Sequence, residues 1–244
     1  MPKAIHQTHY RNCELEWWPT DTKENFDQLM QRPDYREYAQ SVGWDQPNAI
    51  TYKFNNDGFR SNDFDPLGNN NLIALGCSFT MGIGLPVHQV WPWVVAKELD
   101  FEVCNLAMGG ASADSCYRMA EYWIPKLRPK LVVMLTPPLG RLELIDKDDG
   151  TAQQIMPHDN IKDQYVKTWL TVDQNSQINK RKNESAVWAV CQRAKIPCLI
   201  YNSSTYFAQA REVVGYARDY MHAGAIGHSI LSTQILKDFN NLST

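Results

Sequence analysis

Between residues 71 and 135 the chain alternates short, continuously apolar runs with longer segments of helical period, and this alternation restricts the fold more than any other feature. Asn71 to Gly76 (NLIALG), Phe101 to Leu106 and Leu131 to Leu135 (LVVML) read as short buried strands. Between them, Pro86 to Leu99 reads as a helix with Val87, Trp91, Val94 and Val95 on one face. Ser112 to Leu127 reads as a second helix, opened by a capping serine, with Cys116, Met119, Ala120 and Trp123 together. Ile196 to Tyr201 gives a fourth strand, preceded by a helix carrying Val187, Val190, Cys191 and Ala194, and a last helix near Gly224 to Phe239 carries Leu231, Ile235 and Phe239. Strands apolar on both faces need cover on both faces. The expected fold is therefore α/β, a three-layer α/β/α sandwich with a central parallel sheet.

Residues 1–68 have a different texture, rich in Trp, Tyr, Asn, Asp and Gln, with a helical stretch over 22–40 and strong turn chemistry at Asn55-Asn56-Asp57-Gly58 and Asp65-Pro66-Leu67-Gly68. We read 1–68 as an N-terminal extension packed on a main domain of 69–244, and about 140–182 as a polar insertion in that domain. A chain of 244 residues, 43% hydrophobic, is long enough and apolar enough for one such domain. The net charge of −3 argues against nucleic acid as a partner. The start, Met1 to His6, carries no apolar run of the secretory kind, and no run is long enough to span a membrane, so a cytoplasmic location is expected. Six cysteines without a CxxC pair point to neither a disulfide framework nor a zinc site.

Ligands of open parallel sheets bind at the carboxyl ends of the strands. Three turns should line that edge here: Cys77-Ser78-Phe79-Thr80, Ala107 to Ser112, and Thr136-Pro137-Pro138. A serine placed there becomes a nucleophile when a base takes its proton. His222, three residues after Asp219, is the base candidate, because one helical turn would put the carboxylate beside the imidazole. The amides of Ser78 and Gly110 are candidate oxyanion donors. The competing readings are ordinary: a turn serine, a capping aspartate, a satisfied polar histidine. His228 is the rival base, without an acid three residues earlier. His6, His9, His88 and His158 lack metal-ligand spacing and read as surface or packing residues. Gly76 to Gly84 matches neither a nucleotide P-loop nor a Gly-x-Ser-x-Gly elbow.

Taken together, these blocks resemble the SGNH hydrolases, also called GDSL esterases and lipases. Gly76-Cys77-Ser78 is similar to the family's first block, with Cys77 where the name-giving aspartate usually stands. Asn105 to Gly110 is similar to the second, Asp219 and His222 to the last, and Phe54 to Arg60 to a lead-in of some members. The resemblance covers about residues 50–240 and implies a flavodoxin-like sandwich and ester hydrolysis, with Ser78 as nucleophile, His222 as general base, Asp219 orienting it, Gly110 as oxyanion donor, and neither metal nor organic cofactor. The family's third block, Gly-x-Asn-Asp, is missing: the third strand runs into Thr136-Pro137-Pro138-Leu139-Gly140-Arg141, where Thr136 or Arg141 is left to supply the donor. The resemblance implies removal of small acyl groups, acetyl first, from carbohydrate or simple esters. The alternative is a non-catalytic binding or structural protein of the same fold, its N-terminal extension serving a homo-oligomer or larger assembly. Acyl transfer is a third reading.

Overall fold

A computed structural model describes residues 10–68, 70–148, 150–157, 159–208 and 215–242; His6, His9 and His158 lie outside them. The first elements are a two-residue strand β1 (Glu14–Leu15) and two helices, α1 (Lys23–Leu29) and α2 (Pro33–Val42). The single helical stretch expected over 22–40 is thus broken in two. Pro33 cannot donate the backbone bond a continuous helix needs there, and instead serves at the first position of α2, which Gly43 ends in a left-handed turn at φ 77°. Strand β2 (Tyr52–Lys53) pairs antiparallel with β1.

The main sheet follows. Strand β3 (Asn71–Leu75) leads into a four-residue helix, α3 (Ser78–Met81). The helix expected from Pro86 is a 3-10 turn, Val87–Gln89, and then α4 (Trp91–Leu99), because Pro92 is accommodated only in a first turn. Next come β4 (Glu102–Asn105), α5 (Ala113–Leu127) and β5 (Leu131–Thr136). Ser112 caps α5 by accepting from the Ser115 amide, with the Ser115 hydroxyl returning the bond. The polar stretch forms an antiparallel hairpin, β6 (Leu142–Ile145) and β7 (Ala152–Ile155), then α6 (Gln164–Thr171). Helix α7 (Asp173–Ala194) starts inside the segment read as insertion; its first turns are polar even where buried, at Ser176, Asn179 and Asn183, which hid its period. Strand β8 (Cys198–Asn202), a π-helical turn at Ser204–Ala208 and α8 (Ala225–Leu242) complete the described chain.

The four long strands form one parallel sheet in the order β4-β3-β5-β8. Successive side chains of a strand point to opposite faces, and the two faces are covered separately. Ile73, Leu75, Val132 and Met134 pack against α5 and α7 through Met119, Trp123, Val187 and Val190. Leu72, Ala74, Leu131, Val133 and Leu135 pack against α4 and α8 through Trp91, Val95, Leu231 and Ile235. This is the three-layer α/β/α sandwich that the alternation requires. A third apolar cluster joins the N-terminal residues Trp18, Tyr35, Trp44, Tyr52 and Phe54 to Met81 at the end of α3, Ile83 and Leu85 just beyond it, and Ala107 and Ala217 in loops. All six cysteines are unpaired. Among the described residues no helix is long and apolar enough to cross a membrane.

Chain order reverses direction at β3: β4 lies on one side of it and β5 on the other. In open parallel sheets the crevice at such a reversal, outside the carboxyl ends of the strands, is where ligands sit. The turns after β3, β4 and β5 meet there.

Candidate active site

Ser78 opens α3 directly after β3 and is 8% exposed. The turn is tight because Thr80 folds back over Gly76: a Cβ on Gly76 would lie 2.2 Å from Thr80 Oγ1 and 3.1 Å from the Leu135 carbonyl oxygen. Asn105, at the end of β4, holds the turn from the other side. Its Nδ2 donates to the Thr80 carbonyl at 3.0 Å, and its Oδ1 accepts from the Ala107 amide. The far end of α3 is closed by the buried Arg60, whose guanidinium donates to the carbonyls of Thr51, Met81, Gly82 and Leu85. Burial lowers the Arg60 pKa to about 10, which leaves the side chain charged at neutral pH. No described acceptor takes the hydroxyl of Ser78 or its amide hydrogen.

Asp219 and His222 form a hydrogen-bonded pair, with His222 Nδ1 2.5 Å from Asp219 Oδ2. The sequence pattern suggested a helical turn. Instead the pair sits on a non-helical turn that reverses through Tyr220 at φ 58°, before α8 begins. The spacing works because the other carboxylate oxygen, Asp219 Oδ1, accepts the amides of Met221 and His222, both at 3.0 Å, so the aspartate organises the turn that presents its own histidine. A carboxylate only accepts, so the Nδ1 proton is donated to Asp219 and the Nε2 lone pair is left as the basic position. His222 is 9% exposed.

Two contacts bring this turn to the serine. The Phe79 ring, next to Ser78, meets the His222 ring edge-on at 5.1 Å. The Arg218 amide donates to the Gly84 carbonyl at 2.9 Å, and a Cβ on Gly84 would lie 2.9 to 3.1 Å from Ala217 Cβ and the Arg218 and Asp219 nitrogens. Ser78 and His222 share the carboxyl edge without sharing a hydrogen bond, a contact that in such pairs often tightens only around substrate. The rival base is placed elsewhere. His228 lies in α8, wholly buried, its Nδ1 accepting from the Trp91 amide at 3.2 Å, and burial, with the nearby His222, lowers its pKa to about 3. A column of rings, His222, Phe79, Phe207, His228, separates the two histidines.

The turn after β4 runs beside the Ser78 turn: the Leu106 amide donates to the Ala74 carbonyl and that of Met108 to the Gly76 carbonyl. Gly110 stands in it at φ 74°, a conformation that favours glycine, and no described acceptor takes its amide hydrogen. Of the two side chains expected as further donors, Thr136 is engaged elsewhere. It is fully buried and its hydroxyl donates to Glu184 Oε1 at 2.7 Å, so its proton is committed to α7. Arg141 does reach the right turn, with Nη1 donating to the Ala111 carbonyl at 3.3 Å, one residue from Gly110. A cleft of about 350 Å3 opens at the carboxyl ends of β5 and β8, lined by Pro137, Gln177, Lys180, Arg181, Glu184 and Asn202 among others. Among the described residues no cluster of three or more His, Cys, Asp or Glu could hold a metal ion.

Sequence reasoning gave no role to Arg60, which ends the lead-in block, to Arg218, which precedes Asp219, or to Asp21, which nothing in the sequence marks. Asp21 and Arg218 form a buried ion pair, 1% and 0% exposed.

Neither a family model nor a curated protein sequence matches this chain. Solved structures do. An acetyl xylan esterase from the rumen bacterium Butyrivibrio proteoclasticus is similar at 12% identity and a TM-score of 0.42, covering 72% of this chain and 65% of that one. A psychrotrophic esterase from Pseudoalteromonas sp., inhibited by monoethylphosphonate, is similar at 10% identity and a TM-score of 0.39, covering 71% of this chain and 98% of that one. A carbohydrate acetylesterase from Sinorhizobium meliloti is similar at 11% identity and a TM-score of 0.37, covering 71% of this chain and 100% of that one. At these values the likeness is one of general architecture, and the chemistry must be argued from the residues of this chain.

Proposed function

We propose that the protein is a serine ester hydrolase of the SGNH kind. The observation that carries this reading is the Asp219–His222 pair, with its 2.5 Å bond, on the sheet edge that also holds Ser78. In the reaction, His222 Nε2 takes the Ser78 proton as Oγ attacks the acyl carbonyl. The collapsing tetrahedral intermediate expels the alcohol, protonated by His222, and leaves an acyl-serine. Water, deprotonated by the same nitrogen, then releases the acid. Asp219 holds the tautomer throughout. The amides of Ser78 and Gly110 receive the oxyanion charge, and Arg141, held at Ala111, supplies the side-chain donor that the absent asparagine would give.

The acyl group is small, acetyl in the first instance, on a carbohydrate or a simple ester. The polar side chains Gln177, Lys180, Arg181 and Asn202, among those lining the cleft beside β5 and β8, support a hydroxyl-rich alcohol. Six unpaired cysteines support a cytoplasmic setting.

The test is hydrolysis of a short-chain aryl ester, with fluorophosphonate labelling of the folded protein. Wild type turns the ester over and is labelled at Ser78, and Ser78→Ala does neither. Equal rates from the two proteins would remove the serine mechanism. The second reading, a non-catalytic binding protein, is favoured by Thr136 giving its proton to Glu184 where a donor is wanted; it requires that folded wild type be neither labelled nor active on a broad ester panel.

A further inference from the structure

The N-terminal segment makes its most buried polar contact one residue from the Asp219–His222 turn. Arg218 is fully buried, and its guanidinium is used almost completely. Nε donates to Asp21 Oδ1 at 2.9 Å and Nη2 to Asp21 Oδ2 at 2.7 Å, a two-pronged pair. Nη1 donates to the Pro47 carbonyl at 2.8 Å, and the group lies over the Trp17 ring at 4.4 Å. The backbone of the same residue is held as firmly. Its amide donates to the Gly84 carbonyl, and its carbonyl accepts from the Tyr35 hydroxyl at 3.0 Å. Tyr52 closes the circuit: its hydroxyl donates to Asp21 Oδ2 at 2.5 Å and accepts from the Gly84 amide at 2.9 Å.

Every hydrogen bond named here is to Asp21, to the N-terminal segment or to the loop after α3. A buried ion pair is weak evidence for stability, because well-packed apolar residues of like volume often serve as well. What the pair supplies is a fixed orientation. The planar guanidinium sets Arg218, Arg218 sets the start of the Asp219 turn, and the bond from Gly84 relates that turn to the loop leaving Ser78. Displacing a reacting group by about 1 Å costs on the order of 10²-fold in rate.

We infer that Asp21 and Arg218 are positioning residues for the acid–base pair, so that the N-terminal segment completes the active site rather than serving as a separate appendage. This rests on the ester-hydrolase reading above. Substrate meets neither residue; both act through the backbone of Asp219 and through Gly84.

The experiment compares wild type with Asp21→Asn, which keeps the shape and removes the charge, and with Tyr52→Phe, a milder change that removes only the hydroxyl between Asp21 and Gly84. The kinetic readout is kcat and KM on a short-chain aryl ester, per site titrated with fluorophosphonate. We expect kcat per titrated site to fall roughly ten- to a hundredfold in Asp21→Asn, and less in Tyr52→Phe, with KM unchanged. A lower melting temperature with kcat per titrated site unchanged would overturn the inference, since a merely structural role reduces the number of sites and not their rate. The second readout needs no activity. In 15N-histidine-labelled protein the Nδ1 proton of the short His222–Asp219 bond gives a far-downfield resonance, assigned by its absence from His222→Gln. Its loss in folded Asp21→Asn supports the inference, and its persistence unshifted there overturns it. An inactive, unlabelled wild type sinks the hydrolase reading, and the resonance then still decides whether Asp21 positions the pair.

Discussion

At Gly76 one added methyl group would land 2.2 Å from Thr80 Oγ1, far inside contact distance, with the Leu135 carbonyl on its other side. The glycine of the Gly-x-Ser turn is thus required by the threonine two residues beyond the serine, which uses the vacated space and lies 3.4 Å from the Trp91 indole nitrogen. Gly76→Ala should destabilise the fold by about 1–3 kcal/mol, read by urea unfolding, and should lower the fluorophosphonate labelling rate of the molecules that remain folded. Asp219 makes a different demand, for charge and shape together. Asp219→Asn keeps an acceptor for the Met221 and His222 amides but offers an N–H2 to the imidazole, favouring the wrong tautomer. We expect kcat to fall on the order of 10³–10⁴-fold with little change in unfolding midpoint. Both residues sit in spaced motifs that the sequence displays. It did not reveal Asp21, whose partner Arg218 is 197 positions away and whose neighbours show no pattern.

At the scale of elements, the hairpin of β6 and β7 is fixed by polar groups rather than by an apolar face. Arg118 of α5 donates to both oxygens of Glu143 at 2.6 and 2.8 Å, and Gln154 Nε2 donates to the same carboxylate at 2.7 Å. Gln154 Oε1 in turn accepts from the Ser112 amide and the Ser115 hydroxyl at the start of α5. Asp114 adds a second knot, accepting from Asn179 and Asn183 of α7. The hairpin's end then reaches the Gly110 turn: a Cβ there would lie 3.5 Å from Met156 Cε. Arg118→Met removes one partner of a largely buried pair and leaves the Glu143 charge with Gln154 but without its cation, so we expect a loss of roughly 3–5 kcal/mol in unfolding free energy. This is why the polar stretch was hard to read. Apolar periodicity exposes strands and helices that bury an apolar face, as β3 and β5 do. An element held by Arg, Glu, Gln and Asn looks like a loop, and so did the polar first turns of α7.

For the molecule as a whole, acid should reveal the cost of the buried His228. Its ordinary value is 6.5 and its folded value about 3, because its burial between α4 and α8 disfavours the charged ring. Below pH 6.5 the unfolded chain binds a proton that the native state refuses, so native stability falls as pH falls and stops falling near pH 3. Between pH 7 and pH 5 this one site should remove about 2 kcal/mol. In His228→Gln, whose amide oxygen can still accept from the Trp91 N–H, that part of the pH dependence should disappear; urea midpoints of the two proteins at pH 7 and pH 5 measure it. The sheet's layering was legible at this scale, since strands apolar on both faces allow few architectures. The tie between the carboxyl edge and residues such as Asp21, Tyr35 and Tyr52 was not, because it arises from contacts between segments far apart along the chain.

That separation along the chain has a consequence for how such a molecule comes into being. Synthesis runs from Asp21 towards His222, so Ser78 is made before Asp219 and His222, while Asp21 and Tyr35, which hold the adjoining Arg218, are made before Ser78. A growing polypeptide that has completed β5 and even α7 holds Ser78 without the Asp219–His222 pair. Ser78 and the Asp219–His222 pair come to share one edge only when that later stretch packs back on Asp21 and Tyr35, so the assembly of the edge waits on the last-made of its parts.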